Sequence, residues 1–108
     1  MGVKIDIAEN GIKAGISGDI DHHTAREIRE EIDRNIEEVH PKRLVMDFRE
    51  VNFMDSSGIG LVMGRYKLLR RFGGVIVITN PSAHIRKVMR LAGLDRLAVI
   101  DDSQEGRR

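Results

Sequence analysis

The chain has no cysteine and no tryptophan among its 108 residues, and only one tyrosine, three phenylalanines and two prolines. Without cysteine there is neither a disulfide framework nor a thiolate zinc site, a composition compatible with an intracellular address. Charge of one sign is also missing. Eighteen lysines and arginines stand against 17 aspartates and glutamates, for a net charge of +1. That is too little for a protein whose affinity comes from neutralising nucleic-acid phosphates, so a protein or small-ligand partner is expected. Nor is there a long apolar run. Lys4 and Asp6 interrupt the segment from Met1 to Ala8, which excludes the core of a signal peptide. No later run approaches the roughly 20 apolar residues of a membrane span. Asp6 also occupies the position where a myristoylation signal starting at Gly2 requires Ser or Thr. These absences point to a cytosolic protein with no membrane span and no direct nucleic-acid partner.

What is present suffices for one core, with 41% hydrophobic and 32% charged residues in a length typical of a single domain. Val3, Ile5 and Ile7 alternate with polar residues, Asn10-Gly11 is a two-residue turn signal, and Ile12, Ala14 and Ile16 alternate again. This predicts a β-hairpin with one buried face. The loop Gly18-Asp19-Ile20-Asp21-His22-His23-Thr24 leads into a helix to about Val39, with Thr24 and Glu27 spaced as a capping box. Ala25, Ile28, Ile32, Ile36 and Val39 form its apolar stripe, while Arg26, Glu30, Arg34 and Glu38 belong to a solvated face. After Pro41, Leu44 to Phe48 reads as a buried strand.

A second helix starts at Asp55-Ser56-Ser57-Gly58 and continues to Phe72, where Gly73-Gly74 ends it as an αL cap would. Val75 to Thr79 has no polar interruption before its end and predicts a strand covered on both faces. Asn80-Pro81-Ser82 opens a third helix with Ile85, Val88, Met89 and Ala92 as its buried stripe and Gly93 as its end. Leu97 to Ile100 is a last strand, and Asp101 to Arg108 a frayed tail. The order β-β-α-β-α-β-α-β makes a single α/β domain over residues 1–100, with a mixed sheet flanked by helices.

The chemistry concentrates at Phe53-Met54-Asp55-Ser56-Ser57-Gly58-Ile59-Gly60-Leu61. Ser56 and Ser57 fall where helix-start amides lack partners and the dipole favours an anion. Capping by Asp55 and Ser56 is the plain explanation. Against it, Gly58, Gly60 and Gly64 each cost on the order of 1 kcal/mol in a regular helix, so close contact with something must compensate. A serine hydrolase would need a base such as His22 or His23, but the motif is not a Gly-x-Ser-x-Gly elbow, and so short a chain is not expected to build a substrate pocket of ordinary depth. A bare Gly-x-Gly is weak evidence for a nucleotide cradle. His22 and His23 lack further ligands for a metal, and no cofactor is expected. Lys67, Arg70 and Arg71, with Arg65 nearby, read as a solvated basic segment at the helix C-terminus.

Phe53 to Gly60, continuing through Gly64-Arg65-Tyr66-Lys67, closely resembles the signature of bacterial anti-sigma factor antagonists of the STAS superfamily. Gly18 to Ala25 is similar to the loop before the first helix in the sporulation sigma-F branch, the SpoIIAA type. The resemblance implies a mixed sheet flanked by helices, no enzymatic activity, and a phosphoprotein switch. By it, Ser57 is the acceptor of a phosphate from the anti-sigma factor, a nucleotide-bound serine kinase, and a PP2C-type phosphatase removes that phosphate. The unphosphorylated form binds the anti-sigma factor and displaces the sigma factor. The same resemblance assigns docking to Asp21, His22, His23, Asp55, Ser56, Ser57, Gly58, Gly60, Leu61 and Arg65. A general stress-response antagonist is the second reading, disfavoured by the Asp-His-His loop. The chain departs from the family in stopping soon after its last strand, where a further C-terminal helix is usual.

Overall fold

A computed structural model describes residues 2–101. The strands are β1 (Val3–Ala8), β2 (Gly11–Ser17), β3 (Arg43–Glu50), β4 (Val75–Thr79) and β5 (Val99–Asp101). The helices are α1 (His22–Val39), α2 (Ser56–Arg70) and α3 (Ala83–Leu91), with a 3-10 turn at Leu94–Arg96 before β5. The element order follows the hydrophobic periodicity, and the 3-10 turn is the addition to it. The strands lie in one sheet in the order β1-β2-β3-β4-β5, with β1 antiparallel to β2 and every later pair parallel.

That order never reverses direction across the sheet. Crossovers of one hand between strands laid down in one direction all pass over the same face. The burial pattern agrees: Ile12, Ala14 and Ile16 of β2, Leu44, Met46 and Phe48 of β3, and Ile76 and Ile78 of β4 are buried, while the residues between them are not. They form one core with Ile28, Ile32 and Ile36 of α1, Leu61, Val62 and Leu69 of α2, and Ile85 and Met89 of α3. The expectation that β4 is covered on both faces is therefore wrong. Val77 is half-buried and Val75 exposed, and with Val45 and Val99 they leave a strip of valines on the open face. An uninterrupted apolar run does not distinguish two covered faces from one covered face and one uncovered apolar face.

Three local readings also shift. The first turn is Glu9-Asn10, and Gly11 is already the first residue of β2, paired with Ala8. A Cβ at Gly11 would lie 2.5 Å from the Arg43 carbonyl oxygen, so the glycine serves close strand approach. The α1 capping box is built from Asp21 and Thr24, not Thr24 and Glu27, because the helix begins at His22. Asp101 pairs with Thr79 and belongs to β5; the rest of the expected tail, residues 102–108, lies outside the described residues. The α2 terminus follows its glycine signal. Gly73 is left-handed (φ 73°), and the amides of Gly73 and Gly74 donate to the Arg70 and Leu69 carbonyls, the paired bonds of a Schellman motif.

Candidate functional site

The loops preceding α1 and α2 are joined by backbone. Ile20 and Met54 form an isolated parallel bridge: the Ile20 amide donates to the Phe53 carbonyl (2.9 Å) and the Asp55 amide to the Ile20 carbonyl (3.1 Å). Both bridged side chains are buried. The next residue on each strand of this crossbar is a helix N-cap. Asp21 accepts from the amides of His23 (2.9 Å) and Thr24 (3.0 Å), and the Asp21 amide donates to the Thr24 hydroxyl (2.9 Å). These bonds, the Thr24 amide first, hold the Asp21 carboxyl below its ordinary pKa despite partial desolvation. Asp55 accepts from the Ser57 amide at 2.7 Å. The two helices thus start side by side and run parallel, with their positive ends together beyond the carboxyl ends of β2 and β3. At their far ends His40 stacks on Phe72 with ring centroids 4.2 Å apart.

Between the helices lies a groove of about 580 Å³. Its walls are two stripes of the same spacing: His22, Ala25, Arg26 and Arg29 on α1, and Ser57, Gly60, Leu61 and Gly64 on α2. Each is an i, i+3, i+4, i+7 set, one face of a helix. Arg65 adds to the lining at the far end. The volume falls within the size range of small-ligand sites, larger than the chain length suggested. Among the described residues no carboxylate lines it.

The three glycines of the α2 start separate into two kinds. A Cβ at Gly58 would collide with the Met54 side chain, so Gly58 is demanded by packing beneath the crossbar and is buried. Around Gly60 and Gly64 a Cβ would meet nothing within 4 Å. Their backbone is bare to the groove. Close approach by a partner is thus open at Gly60 and not at Gly58, which corrects the reading that treated them alike.

Arg65 departs furthest from expectation. It is not part of a solvated basic segment: it is 6% exposed, the one buried charged residue among those described. Its Nε stands 2.7 Å from Asp33 Oδ1 of α1, an ion pair whose alignment falls short of a hydrogen bond, and Nη1 donates to the Leu61 carbonyl at 3.3 Å. Burial raises the Asp33 carboxyl above its ordinary pKa, opposed by the nearby Arg65 and Arg29 guanidiniums, and burial lowers Arg65. Lys67, Arg70 and Arg71 are exposed as expected, and Arg70 lies 5.6 Å over the Tyr66 ring.

Of the ten docking residues suggested by sequence, His22, Ser57, Gly60, Leu61 and Arg65 share the groove. Asp21 and Asp55 act as caps, Ser56 is exposed at the first position of α2, and His23 lies beside the His22 ring with centroids 4.2 Å apart. Leu61 is 4% exposed, so it shapes the wall more than it offers surface. Sequence reasoning missed Arg26 and Arg29 as lining residues. The signal was the recurrence from His22 at +4 and +7, matching that from Ser57 to Gly64. Among the described residues no hydrogen bond joins Ser57 to His22 and no carboxylate orients that imidazole, so the arrangement of a serine hydrolase is incomplete. No helix among them is long and apolar enough to cross a membrane, and no group of three or more His, Asp or Glu side chains is placed for a metal.

Comparison with known proteins bears on this geometry. The model of the STAS domain family matches residues 8–105. The anti-sigma F factor antagonist of Paenibacillus polymyxa is 32% identical over 89 residues, covering 82% of this chain and 76% of that protein. The anti-sigma-B factor antagonist of Bacillus subtilis is 29% identical over 108 residues, covering 98% and 97%. The solved structure of the anti-sigma factor antagonist SpoIIAA in its unphosphorylated form matches with a TM-score of 0.82 at 30% identity, over 96% of this chain and 91% of that one. The phosphorylated form of the Bacillus cell fate determinant SpoIIAA matches with a TM-score of 0.74 at 30% identity, over 96% and 95%.

Proposed function

The chain belongs to the STAS domain family, and we propose that within it this protein is an anti-sigma factor antagonist switched by phosphorylation of Ser57. In its unphosphorylated form it binds the anti-sigma factor, a serine kinase carrying a nucleotide, and so releases the sigma factor in the cytoplasm. The kinase transfers a phosphate to Ser57, docking is lost, and a PP2C-type phosphatase restores the acceptor. The protein is thus a substrate and regulator, not an enzyme. Asp21, His22, Ser56, Ser57 and Gly60 are the surface offered to the kinase, with His23 beside them.

The observation that carries this reading is the position of Ser57, in the first turn of α2 on the wall of a groove between two helix starts. A phosphate there brings about −1.5 to −2 charges at pH 7, which two adjacent positive helix ends accommodate without refolding. The penalty falls on a docked partner, through bulk and through repulsion with its acidic groups or nucleotide. The near full-length alignment with the anti-sigma-B antagonist favours one alternative, a stress-type partner in place of a sporulation-type one.

The test mixes the purified chain with anti-sigma kinases of both types and ATP, then maps phosphate by mass spectrometry. One phosphate on Ser57, absent in Ser57→Ala, is expected, with stable binding of the unmodified chain to one kinase type. Stoichiometric phosphorylation of Ser57→Ala would show the acceptor to be elsewhere.

A further inference from the structure

We propose that a phosphate on Ser57 is held within the same chain by Arg26, with Arg29 beside it, across the groove between α1 and α2. The inference rests on the reading of Ser57 as the modified position and concerns what the phosphate does once there. Among the described residues the groove is lined by His22 and three arginines and by no carboxylate. The charges on its walls are unequally countered. Arg65 faces Asp33 at 2.7 Å with Arg29 also near that carboxylate, whereas the ion-pair contacts of Arg26 and Arg29 are to Glu30, at 3.7 and 4.0 Å. Those two contacts are long and exposed, the kind that contributes little and exchanges readily. At least one guanidinium on α1 is therefore free to turn toward a stronger acceptor. A phosphate dianion is that acceptor, since arginine binds it through two parallel charge-assisted hydrogen bonds.

The route between them is clear. Ser57 and His22 open the facing stripes, Arg26 stands one turn further along α1, where a helical side chain leans back toward the N-terminus, and Gly60 and Gly64 raise no side chain into the groove. The crossbar at Ile20 and Met54 keeps the two first turns adjacent. The positive end of α2 alone would favour a phosphate without reference to α1. The arginine stripe adds a contact that ties the two helices together and withdraws Arg26 from any partner.

The experiment installs phosphoserine at position 57 during translation, so that no kinase is needed, and follows its second ionisation by phosphorus NMR. Arg26, Arg29 and His22 face the groove from α1, Asp55 adjoins Ser57 from the α2 cap, and Arg65 lies at the far end of the same groove. With the arginines present the second pKa, about 6 for a free phosphoserine, is expected to be lowered by about one unit relative to the Arg26→Gln/Arg29→Gln variant. Arg26→Lys/Arg29→Lys is expected to keep most of the shift. Phosphorylation is also expected to raise the unfolding midpoint of the native sequence and not that of the glutamine variant, which should fold normally because both arginines are exposed. An equal titration in all three proteins would overturn the proposal and leave the helix dipole as the whole of the effect. Phosphorylation of Ser57 by the kinase is scored separately: if the kinase modifies Ser57 and the titrations coincide, this inference alone fails, whereas a kinase that ignores Ser57 removes the reading beneath it.

Discussion

Gly58, Gly60 and Gly64 look alike in the sequence and differ in what surrounds them. Gly58→Ala must displace Met54 and is expected to cost about 1–3 kcal/mol in chemical denaturation, the ordinary penalty of overpacking. Gly60→Ala and Gly64→Ala enter open space in a helix and are expected to raise stability by about 0.5–1 kcal/mol each while weakening partner binding. Opposite signs at Gly58 and Gly60 in one denaturation series would separate packing from docking. That glycines crowd this helix start was legible; which of them faces inward was not, because the answer depends on where Met54 lies in three dimensions. Arg65 was illegible for a similar reason. Its neighbours Lys67, Arg70 and Arg71 are exposed, and only the position of Asp33 on another helix makes burial of a guanidinium tolerable.

The interaction between Arg65 and Asp33 belongs to the scale of elements, because it couples α1 to α2. Arg65→Ala leaves a half-buried carboxylate without its cation and is expected to cost about 2 kcal/mol, below the 3–5 kcal/mol of a fully buried pair since Asp33 remains 30% exposed. Arg65→Met with Asp33→Leu is expected to recover much of that loss, measured as a double-mutant cycle. The start of α1 gives a pH dependence. The Asp21 carboxyl titrates below its ordinary value of 3.8 in the folded chain, so its contribution is complete above that value and is lost as the pH falls through the lower, folded value. Asp21→Asn keeps a good N-cap and is expected to remove this acid-side loss, read from helical circular dichroism on acid titration. The helix itself was legible from Ala25, Ile28, Ile32 and Ile36. Its first residue was not, because Asp21 and Thr24 each satisfy the preferences of an N-cap and only the backbone bridge at Ile20 decides between them.

At the scale of the molecule, the one-directional strand order makes the sheet one-sided. Ile78→Ala is expected to cost about 2–5 kcal/mol, whereas Val77→Ala, its neighbour on the open face, should cost no more than about 1 kcal/mol. Comparable losses at both positions would mean that a second layer covers the valines. Element order and class were legible because period-2 and period-3.6 patterns alternate down the chain. Handedness and strand order carry no such signature, and they determine which face of β4 is dry.

The crossbar between Ile20 and Met54 has a consequence beyond stability. The separation of the two helix starts is set by main-chain hydrogen bonds, which do not depend on the side chains at those positions so long as the donors are not proline. Side chains on the groove walls can therefore be exchanged without changing the frame that presents them. Paralogous chains in one cell could acquire different allegiances through a few substitutions at positions such as 22, 26 and 29, each new chain keeping Ser57, the proposed acceptor, in the same frame. Insulation between parallel regulatory circuits then becomes a question of rim vocabulary, and swapping those positions between relatives is the direct way to rewrite it.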